Sequence, residues 1–357
     1  MRRTAWIVAG PALLVAFLSA GPTLAAAGPE KTGEKALTAK EAVKLQDDAA
    51  KALGIQKALT LDLGNKAAMK LVLIPAGRFL MGSGAAELDR VKQASGKTHV
   101  LGDQGQSDED PQHEVALTKP FFMGIHPVTR GQFAAFVADS GYKTDAEKTG
   151  SSVTWDALRW DKVPGAFWKK PGFEQTDEHP VVCVSHNDAV AFCEWLGKKS
   201  GRAIALPTEA QWEYACRAGT ATAYPWGDDA DGGKGWCNAA DQSARKAIGE
   251  KWLYFNWDDA HAFTSPVGKF KPNAWGLYDM LGNACQWCAD WFDKGYYKDS
   301  PKEDPAGPAK GTQRVLRGGG WFAAPMTCRS ASRDRMMPDY SYSTFGFRAI
   351  SIDVEKK

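Results

Sequence analysis

The residues most able to do chemistry lie close together, in residues 273–292. These twenty positions hold three tryptophans, two glycines, two cysteines and four Asn or Asp residues. Oxygen-bearing side chains set between glycines and large rings are typical of a rigid loop folded around a hard cation, with the rings anchored in a core. A tight aromatic turn without a metal has the same composition. Both interpretations stay open from these residues alone.

The two cysteines of this segment, Cys285 and Cys288, have the spacing of a redox pair, half a zinc site or a local disulfide. A zinc site needs a second pair at matching spacing, and none follows. A thioredoxin-like pair would open a helix after a strand, whereas this pair lies within the aromatic segment. The spacing therefore favours a disulfide or two buried thiols. The seven cysteines of the chain are Cys183, Cys193, Cys216, Cys237, Cys285, Cys288 and Cys328.

Several classes of function are excluded by motif and charge. The chain has no H-E-x-x-H pair, no G-x-S-x-G elbow and no glycine-rich phosphate loop before a helix, which argues against hydrolases and nucleotide-binding proteins. The formal charge of +2 falls to 0 if residues 1–27 are removed with Arg2 and Arg3. A neutral chain lacks the positive field that holds a phosphate backbone, so we expect no nucleic-acid partner.

The N-terminus has the pattern of a secretory signal peptide over residues 1–27. Two arginines precede an uncharged apolar run, and a small-x-small cleavage site follows at residues 25–27. The run is short and is interrupted by Gly10 and Pro11, so it does not fit a transmembrane span. We expect a secreted or periplasmic protein with no transmembrane anchor after cleavage.

The remaining chain divides into residues 28–60, predicted as a loosely attached segment with one short helix, and one domain over residues 61–357. The helix begins at the capping box Thr38-x-x-Glu41 and ends at Gly54. Three further boxes, at Thr129, Ser185 and Thr208, predict three more helices, the second of them ending at Gly197. Residues 84–112 are polar and predict a surface loop. Strands are predicted at residues 69–75, 77–83, 314–317 and 345–352.

Several ordered segments resemble the formylglycine-generating-enzyme family, also called sulfatase-modifying factors, across residues 65–352. They are IPAG at 74–77, MGS at 81–83, FMG at 122–124, PVT at 127–129, HPVV at 179–182, LPTEAQWEY at 206–214, WG at 226–227, the glycine loop at 282–291, RGG at 317–319 and GFR at 346–348. The loop is similar to the family signature GNxWEW. The resemblance implies a single loop-rich α+β domain, related in outline to C-type lectins.

The resemblance also implies two structural calcium sites. The positions that match the first are Asn238, Ala239, Asp259 and His261, and those that match the second are Asp279, Gly282, Ala284 and Gln286. Gln286 stands where the family has a carboxylate, and Asp279 stands where some relatives have an asparagine. Amide and carboxylate oxygens both bind calcium, so this exchange is tolerable.

Family members with oxidase activity carry two cysteines, five residues apart, that bind copper(I). The second position matches Cys328, which becomes the candidate catalytic and copper-binding residue, but the first is Ala323. Half of the copper site is therefore missing. Some relatives form structural disulfides from the position of Cys216, and since the usual partner position is occupied by Ser330, the resemblance suggests a Cys216–Cys328 bond instead.

Three functions follow from these observations. The first is an oxidase of formylglycine-generating type that acts on a cysteine of a sulfatase-like polypeptide. The second is a non-catalytic, calcium-stabilised binding module of the same fold. The third is an oxidase that acts on a small molecule. The family resemblance favours the first, whereas Ala323 favours the second.

Overall fold

A computed structural model describes residues 37–95, 108–156, 159–249 and 252–354 of the chain. The predicted signal peptide lies outside these ranges. Within them, no helix combines the length and the apolar character that crossing a bilayer requires.

Short elements separated by long loops make up the described chain. The strands are β1 (Ala58–Gly64), β2 (Ala67–Ile74), β3 (Gly77–Met81), β4 (His113–Leu117), β5 (Phe121–Gly124), β6 (Ser151–Trp155), β7 (Trp160–Pro164), β8 (Ile204–Ala205), β9 (Cys285–Trp291), β10 (Arg314–Arg317), β11 (Arg333–Met336), β12 (Phe345–Phe347) and β13 (Ile350–Ser351). The helices are α1 (Ala39–Leu53), α2 (Ala85–Ser95), α3 (Arg130–Ser140), α4 (Asp145–Thr149), α5 (His186–Ser200), α6 (Glu209–Arg217), α7 (Gln242–Ile248) and α8 (Tyr296–Asp299), with a 3₁₀ turn at Ala230–Gly233.

Two sheets organise the described residues. A five-stranded sheet has the order β1-β2-β5-β13-β8, and a four-stranded sheet has the order β11-β10-β9-β12, in which β12 runs parallel to β9. The pairs β3-β4 and β6-β7 form two small antiparallel sheets. Helices and mostly antiparallel strands share one chain without a repeating β-α-β order, which confirms the predicted α+β class.

All four capping boxes predicted from the sequence are present, at the starts of α1, α3, α5 and α6. In each, the hydroxyl of the first residue accepts the backbone N–H three positions on, because that N–H has no partner within the helix. Helix α5 does not end at Gly197 as predicted. It continues to Ser200 and ends at Gly201, which takes the left-handed conformation that favours glycine.

Two predictions about irregular regions are wrong. Residues 85–95 form helix α2 within the predicted loop, while residues 96–107 lie outside the described ranges. The aromatic segment contains β9, a strand at the centre of its sheet. Since successive strand residues point to opposite faces, Cys285 and Cys288 lie on opposite sides of β9 and in different parts of the core. This geometry does not permit a local disulfide between them.

Helix α1 is packed into the domain, in contrast to the predicted loose attachment of residues 28–60. Ala42 and Gln46 are buried, and the Gln46 amide donates to the carbonyl oxygens of Leu73 (3.0 Å) and Trp275 (3.2 Å). One side chain thus joins the helix to strand β2 and to the start of the aromatic segment. The sequence marks the start and end of α1, but the residues that Gln46 contacts are distant in the chain.

We expect Gln46→Leu to destabilise the protein by roughly 1–3 kcal/mol, because two buried carbonyl oxygens lose their donor. Lys44→Ala, two residues away, breaks an exposed ion pair with Asp48 and should change the free energy of unfolding by less than about 1 kcal/mol. Denaturant unfolding of both variants measures the difference. Equal values for the two would show that α1 is not part of the cooperative unit.

Candidate functional site

Three consecutive glycines after β10 place the backbone against the core. Gly318 and Gly319 have φ values of +91° and +64°. A Cβ on Gly318 would lie 2.5 Å from the carbonyl oxygen of Met280, and one on Gly319 would lie 2.5 Å from the Cβ of Ala323. Any other residue type would force the backbone apart, so this turn requires glycine for both conformation and space.

The glycine turn forms one wall of a cavity of about 550 Å³, a volume in the usual range for ligand sites. Residues of strand β11 line another part of the cavity. Aromatic and charged side chains line the remainder, including Trp160, Trp252, Phe322, Tyr342, Asp108, Glu109, Arg329, Arg333, Asp334 and Arg335. Such a mixture of rings, ions and exposed backbone suits an extended polypeptide better than a purely apolar ligand.

A buried ion cluster supports the cavity beneath the glycine turn. The Arg329 guanidinium donates to both carboxylate oxygens of Glu109 (2.9 and 2.6 Å) and to Glu87 (2.5 Å). Burial alone would raise the pKa of Glu109, but the Arg329 charge and hydrogen bonds hold this pKa below its usual range. The cavity arginines are therefore neutralised by the protein's own carboxylates, and removal of one partner would leave a buried charge unpaired.

A second ion pair on the same wall lies next to a buried carboxyl group whose pKa is raised. Arg333 binds both oxygens of Glu209, at 2.7 and 2.8 Å. Asp290 accepts the backbone N–H of Glu209 (2.7 Å) and is buried. Burial first, and then the charge of Glu209, raise the pKa of Asp290 to about 7.

Cys328, the predicted catalytic residue, is wholly buried behind the glycine turn. Its thiol donates to the carbonyl oxygen of Gly318 (3.7 Å), and Cys237 belongs to the same core cluster. It does not line the cavity, whereas Ala323 and Thr327 do. The side chain at the cavity surface where the family has its first copper cysteine is thus a methyl group.

The suggested Cys216–Cys328 disulfide is not formed. All seven cysteines are free and buried, and the Cys216 thiol donates instead to the hydroxyl of Ser330 at 3.7 Å. Ser330 thus occupies the usual partner position and satisfies Cys216 without a covalent bond. Burial shields these thiols from oxidants, since reactivity requires access as well as thiolate.

The first predicted calcium set includes a buried side-chain oxygen without a hydrogen-bond partner in the described residues. The side-chain oxygen of Asn238 is buried and accepts no hydrogen bond from the described part of the protein. Nearby, the Asp259 carboxylate accepts the backbone N–H groups of His261 (2.7 Å) and Ala239 (3.3 Å). Asp241, which the sequence argument missed, is buried and accepts the N–H of Asp259.

The carboxyl groups of Asp241 and Asp259 lie close enough to affect each other's charge. Burial and the charge of Asp241 raise the pKa of Asp259 to about 8, and burial raises the pKa of Asp241. Two facing carboxyl groups and an unpaired amide oxygen are the donor set that a hard divalent cation prefers. The residues at this position therefore fit a calcium ion.

The second predicted calcium set has a different arrangement. The side-chain oxygen of Gln286 accepts from Trp212 (2.9 Å) and Arg348 (2.7 Å), and its amide donates to the carbonyl oxygen of Asp279 (2.8 Å). Asp279 is buried, and its carboxylate accepts the N–H of Gly268 (2.8 Å). Because protein donors already engage Gln286, this set fits a cation less well than the first. The carbonyl groups of Gly282 and Ala284 belong to the same loop.

Residues 60–352 match the profile of the family described as "Sulfatase-modifying factor enzyme 1-like domain". The chain belongs to this family. It is 38% identical over 304 residues to a formylglycine-generating enzyme of Streptomyces coelicolor, covering 78% of this chain and 87% of the relative. It is also 33% identical over 321 residues to the "Inactive C-alpha-formylglycine-generating enzyme 2" of Mus musculus, covering 82% and 88%.

Among solved structures, PvdO from Pseudomonas aeruginosa shares the fold with a TM-score of 0.64 and 28% sequence identity, covering 84% of this chain and 99% of that chain. The formylglycine-generating-enzyme fold with its C-type-lectin-like outline is thereby confirmed. Membership of the sulfatase-modifying-factor family does not decide activity, because its named members include both an active and an inactive formylglycine-generating enzyme.

Within this family framework, sequence reasoning missed Cys237 and Asp241. Both lie within two residues of a predicted ligand, Asn238 or Ala239, and this closeness in sequence was the one feature that could have identified them. These residues were missed because the packing of Cys237 in one core cluster with Cys328, and the hydrogen bond from the Asp259 N–H to Asp241, arise through loops that have no periodic pattern.

Asp290 predicts a pH dependence of stability. Its folded-state pKa of about 7 lies above its ordinary value of 3.8, so its contribution is fully present below the unfolded pKa and is lost as pH rises through the folded pKa. We expect the free energy of unfolding to fall between pH 5 and pH 8, and Asp290→Asn to remove about 2–3 kcal/mol of this fall. Denaturant midpoints at several pH values measure it.

Asp293→Asn is the matched control, because Asp293 also accepts a backbone N–H, that of Gly295 at 2.7 Å, but is exposed. It should keep the wild-type pH dependence. An Asp290→Asn variant with the wild-type slope would contradict the assignment.

Proposed function

We propose that this protein binds an extended segment of a sulfatase-like polypeptide in the cavity beside the glycine turn and does not oxidise it by a two-cysteine mechanism. One observation carries the proposal: the cavity is intact, whereas position 323 is alanine and the Cys328 thiol is sealed behind the turn. A secreted or periplasmic location, which the pattern of residues 1–27 predicts, is the setting we propose for this encounter.

Asp334 is the carboxylate that we expect to contact the ligand. It lies on β11, lines the cavity and is exposed. Its side chain accepts the backbone N–H of Arg335 (2.7 Å), while the Arg335 guanidinium donates to Asp108 at 2.6 Å. Since the cavity arginines are neutralised by protein carboxylates, a cationic side chain of the ligand is the group that this wall can recognise.

The aromatic side of the cavity supplies the apolar part of the site. Trp160 packs against Phe322 with ring centroids 5.1 Å apart, and Trp252 packs against the same ring at 5.1 Å. Rigid rings offer large contact area at low entropic cost. The combination suits a short motif of the Cys-x-Pro-x-Arg type, in which a cationic residue follows small and apolar ones.

An oxidase acting on the same polypeptide is the second candidate. The observation that favours it is that Cys328 and Cys237 lie in the same core cluster, so a second thiol is present in this part of the core although Ala323 provides none. The names of the active relatives support this candidate, and the name of the inactive relative supports binding alone.

We expect a synthetic Cys-x-Pro-x-Arg peptide to bind, and Asp334→Asn to weaken binding at least about tenfold, since hydrogen bonds to charged groups contribute roughly 1.5–3 kcal/mol. Titration calorimetry measures affinity, and mass spectrometry of the recovered peptide measures conversion to formylglycine. A peptide with glutamine in place of arginine should bind equally to both proteins.

The control variant is Asp339→Asn, which alters an exposed carboxylate outside the cavity and should bind as wild type does. Equal binding by Asp334→Asn would refute the proposed contact. Copper-dependent conversion of the peptide would establish the oxidase candidate instead.

We also propose that calcium binds at Asn238, Asp241 and Asp259, with carbonyl groups of Ala239 and His261 as further ligands. Support comes from the unpaired oxygen of Asn238 and the two adjacent carboxyl groups. When bound, the ion would supply positive charge that offsets this pair of carboxylates. It would thereby fix the loop between α7 and the aromatic segment.

Chelation should lower the melting temperature by several degrees, because an ion present at 100 times its Kd stabilises the native state by about 2.7 kcal/mol. Asp241→Asn and Asp259→Asn should each reduce the difference between calcium and chelator. Asp258→Asn is the matched control, since Asp258 is exposed and binds Ser243 and Lys246. Identical melting in calcium and chelator would exclude a structural ion.

A further inference from the structure

Strand β11 lies at the edge of the four-stranded sheet, and within the described residues it pairs with β10 alone. Its residues Arg333, Asp334, Arg335 and Met336 all line the cavity. The guanidinium groups of Arg333 and Arg335 lie over the ring of Phe292, at 4.7 and 4.6 Å, whereas Met336 packs against a different core cluster. Residues from both faces of β11 thus line one cavity, so the cavity runs along the outer edge of this strand.

The backbone groups of an antiparallel strand face its two neighbours in alternation, and this alternation can be followed from β9 to β11. The carbonyl oxygen of Arg317 on β10 accepts the thiol of Cys285 on β9 at 3.4 Å, so the backbone of Arg317 faces β9. The adjacent residue Leu316 therefore faces β11 and its partner Asp334. The backbone of Arg335 then points away from the sheet, and its N–H donates to the side chain of Asp334 at 2.7 Å.

An extended polypeptide can add to such an edge as a further strand. By the same alternation, Arg333 and Arg335 each present an outward N–H and an outward carbonyl oxygen to it. The edge is short and carries three consecutive charged residues, which disfavours pairing with an arbitrary strand. A cationic residue placed opposite Asp334 would be favoured, because opposite charges stabilise cross-strand pairs.

The proline of a Cys-x-Pro-x-Arg segment determines the direction of pairing. Proline has no N–H to donate, so it must lie where the backbone of the added strand faces away from β11. With the arginine opposite Asp334, an antiparallel segment places the proline opposite Met336. Both positions lack hydrogen bonds to β11, since the backbones of Asp334 and Met336 face β10. A parallel segment would instead turn the proline nitrogen toward the edge.

The surroundings of Met336 suit a proline ring. Met336 and Tyr342 pack against the same core cluster, and both line the cavity. Trp160 also lines the cavity, and its ring centroid lies 6.3 Å from that of Tyr342. A proline two positions before the arginine therefore meets rings and a thioether, while the arginine meets a carboxylate.

We propose that the sulfatase-like polypeptide adds to the sheet as an antiparallel strand along the outer edge of β11, with its arginine opposite Asp334 and its proline opposite Met336. The residues before and after the arginine exchange backbone hydrogen bonds with Arg335 and Arg333. When the ligand arginine engages Asp334, a ligand carbonyl oxygen replaces the Asp334 side chain at the Arg335 N–H. This inference rests on the proposed function, because it takes the same ligand and adds how its backbone is held.

Methylation of single amide nitrogens in a synthetic peptide tests this pairing without changing any side chain. Titration calorimetry with the full chain would compare a Cys-x-Pro-x-Arg peptide, extended at both ends, with its methylated versions. Methylation of the residue before or after the arginine should weaken binding at least about tenfold, because a hydrogen bond is lost and a methyl group meets β11. Methylation of the arginine nitrogen, which faces away from β11, is the matched control and should leave the affinity unchanged. Amide hydrogen exchange at Arg335 should slow when the unmodified peptide binds.

Equal binding of the methylated and unmodified peptides would overturn the inference and leave the proposed function intact, since side chains alone would then hold the segment. Weakening by methylation of the arginine, but not of its neighbours, would also overturn it, because the segment would then pair in the opposite phase. If the unmodified peptide does not bind, the proposed function fails and this inference fails with it. Slow exchange at Arg335 that appears at high protein concentration without peptide would identify a second copy of this chain as the occupant and overturn the choice of ligand.

Discussion

The wholly buried guanidinium of Arg317 is the constraint on which the site depends. It lies at the end of β10, immediately before the glycine turn, and it pairs with the carboxylate of Glu213 on α6. Glu213 also accepts from Arg217 (2.9 Å) and from the N–H of Gly82 (2.9 Å). Since a buried charge without a partner is strongly destabilising, helix α6, strand β10 and the loop after β3 must keep these positions together.

The same arginine extends this constraint to the wall of the cavity that β11 lines. Arg317 donates to the carbonyl oxygens of Ala331 (2.6 Å) and Ser332, the residues immediately before β11. The two walls are therefore fixed relative to each other by one side chain, and the cavity is preserved whatever occupies position 323. Ala323 contributes no side chain to this ion network. The chain can therefore retain the family fold although it lacks the first copper cysteine.

Local patterns in the sequence predicted the helix starts and strand β10, because capping and β propensity act within a few residues. They did not predict β9, since its residues are buried on both faces and lack the alternation that marks a half-buried strand. The docking of α1 through Gln46 and the packing of Cys237 and Cys328 into one core cluster were also missed. Each depends on tertiary packing between segments that carry no mutual signal in a single sequence.

The replacement of the signature carboxylate by Gln286 shows how this site accommodates lost charge. Arg348 is wholly buried, and its guanidinium donates to Gln286 (2.7 Å) and to the carbonyl oxygens of Gly124 (2.6 Å) and Tyr278 (2.7 Å). Burial lowers the pKa of Arg348 to about 10, while the nearby Asp279 acts in the opposite direction. Asp279 is thus the carboxylate whose charge acts on Arg348, while Gln286 at the signature position is uncharged. The two substitutions are best understood as one exchange, and a calcium ion at Asp279 would compete with Arg348 for the same negative charge. That competition is the physical reason to propose the calcium ion at Asn238, Asp241 and Asp259, whose described hydrogen bonds come from backbone N–H groups and not from an arginine.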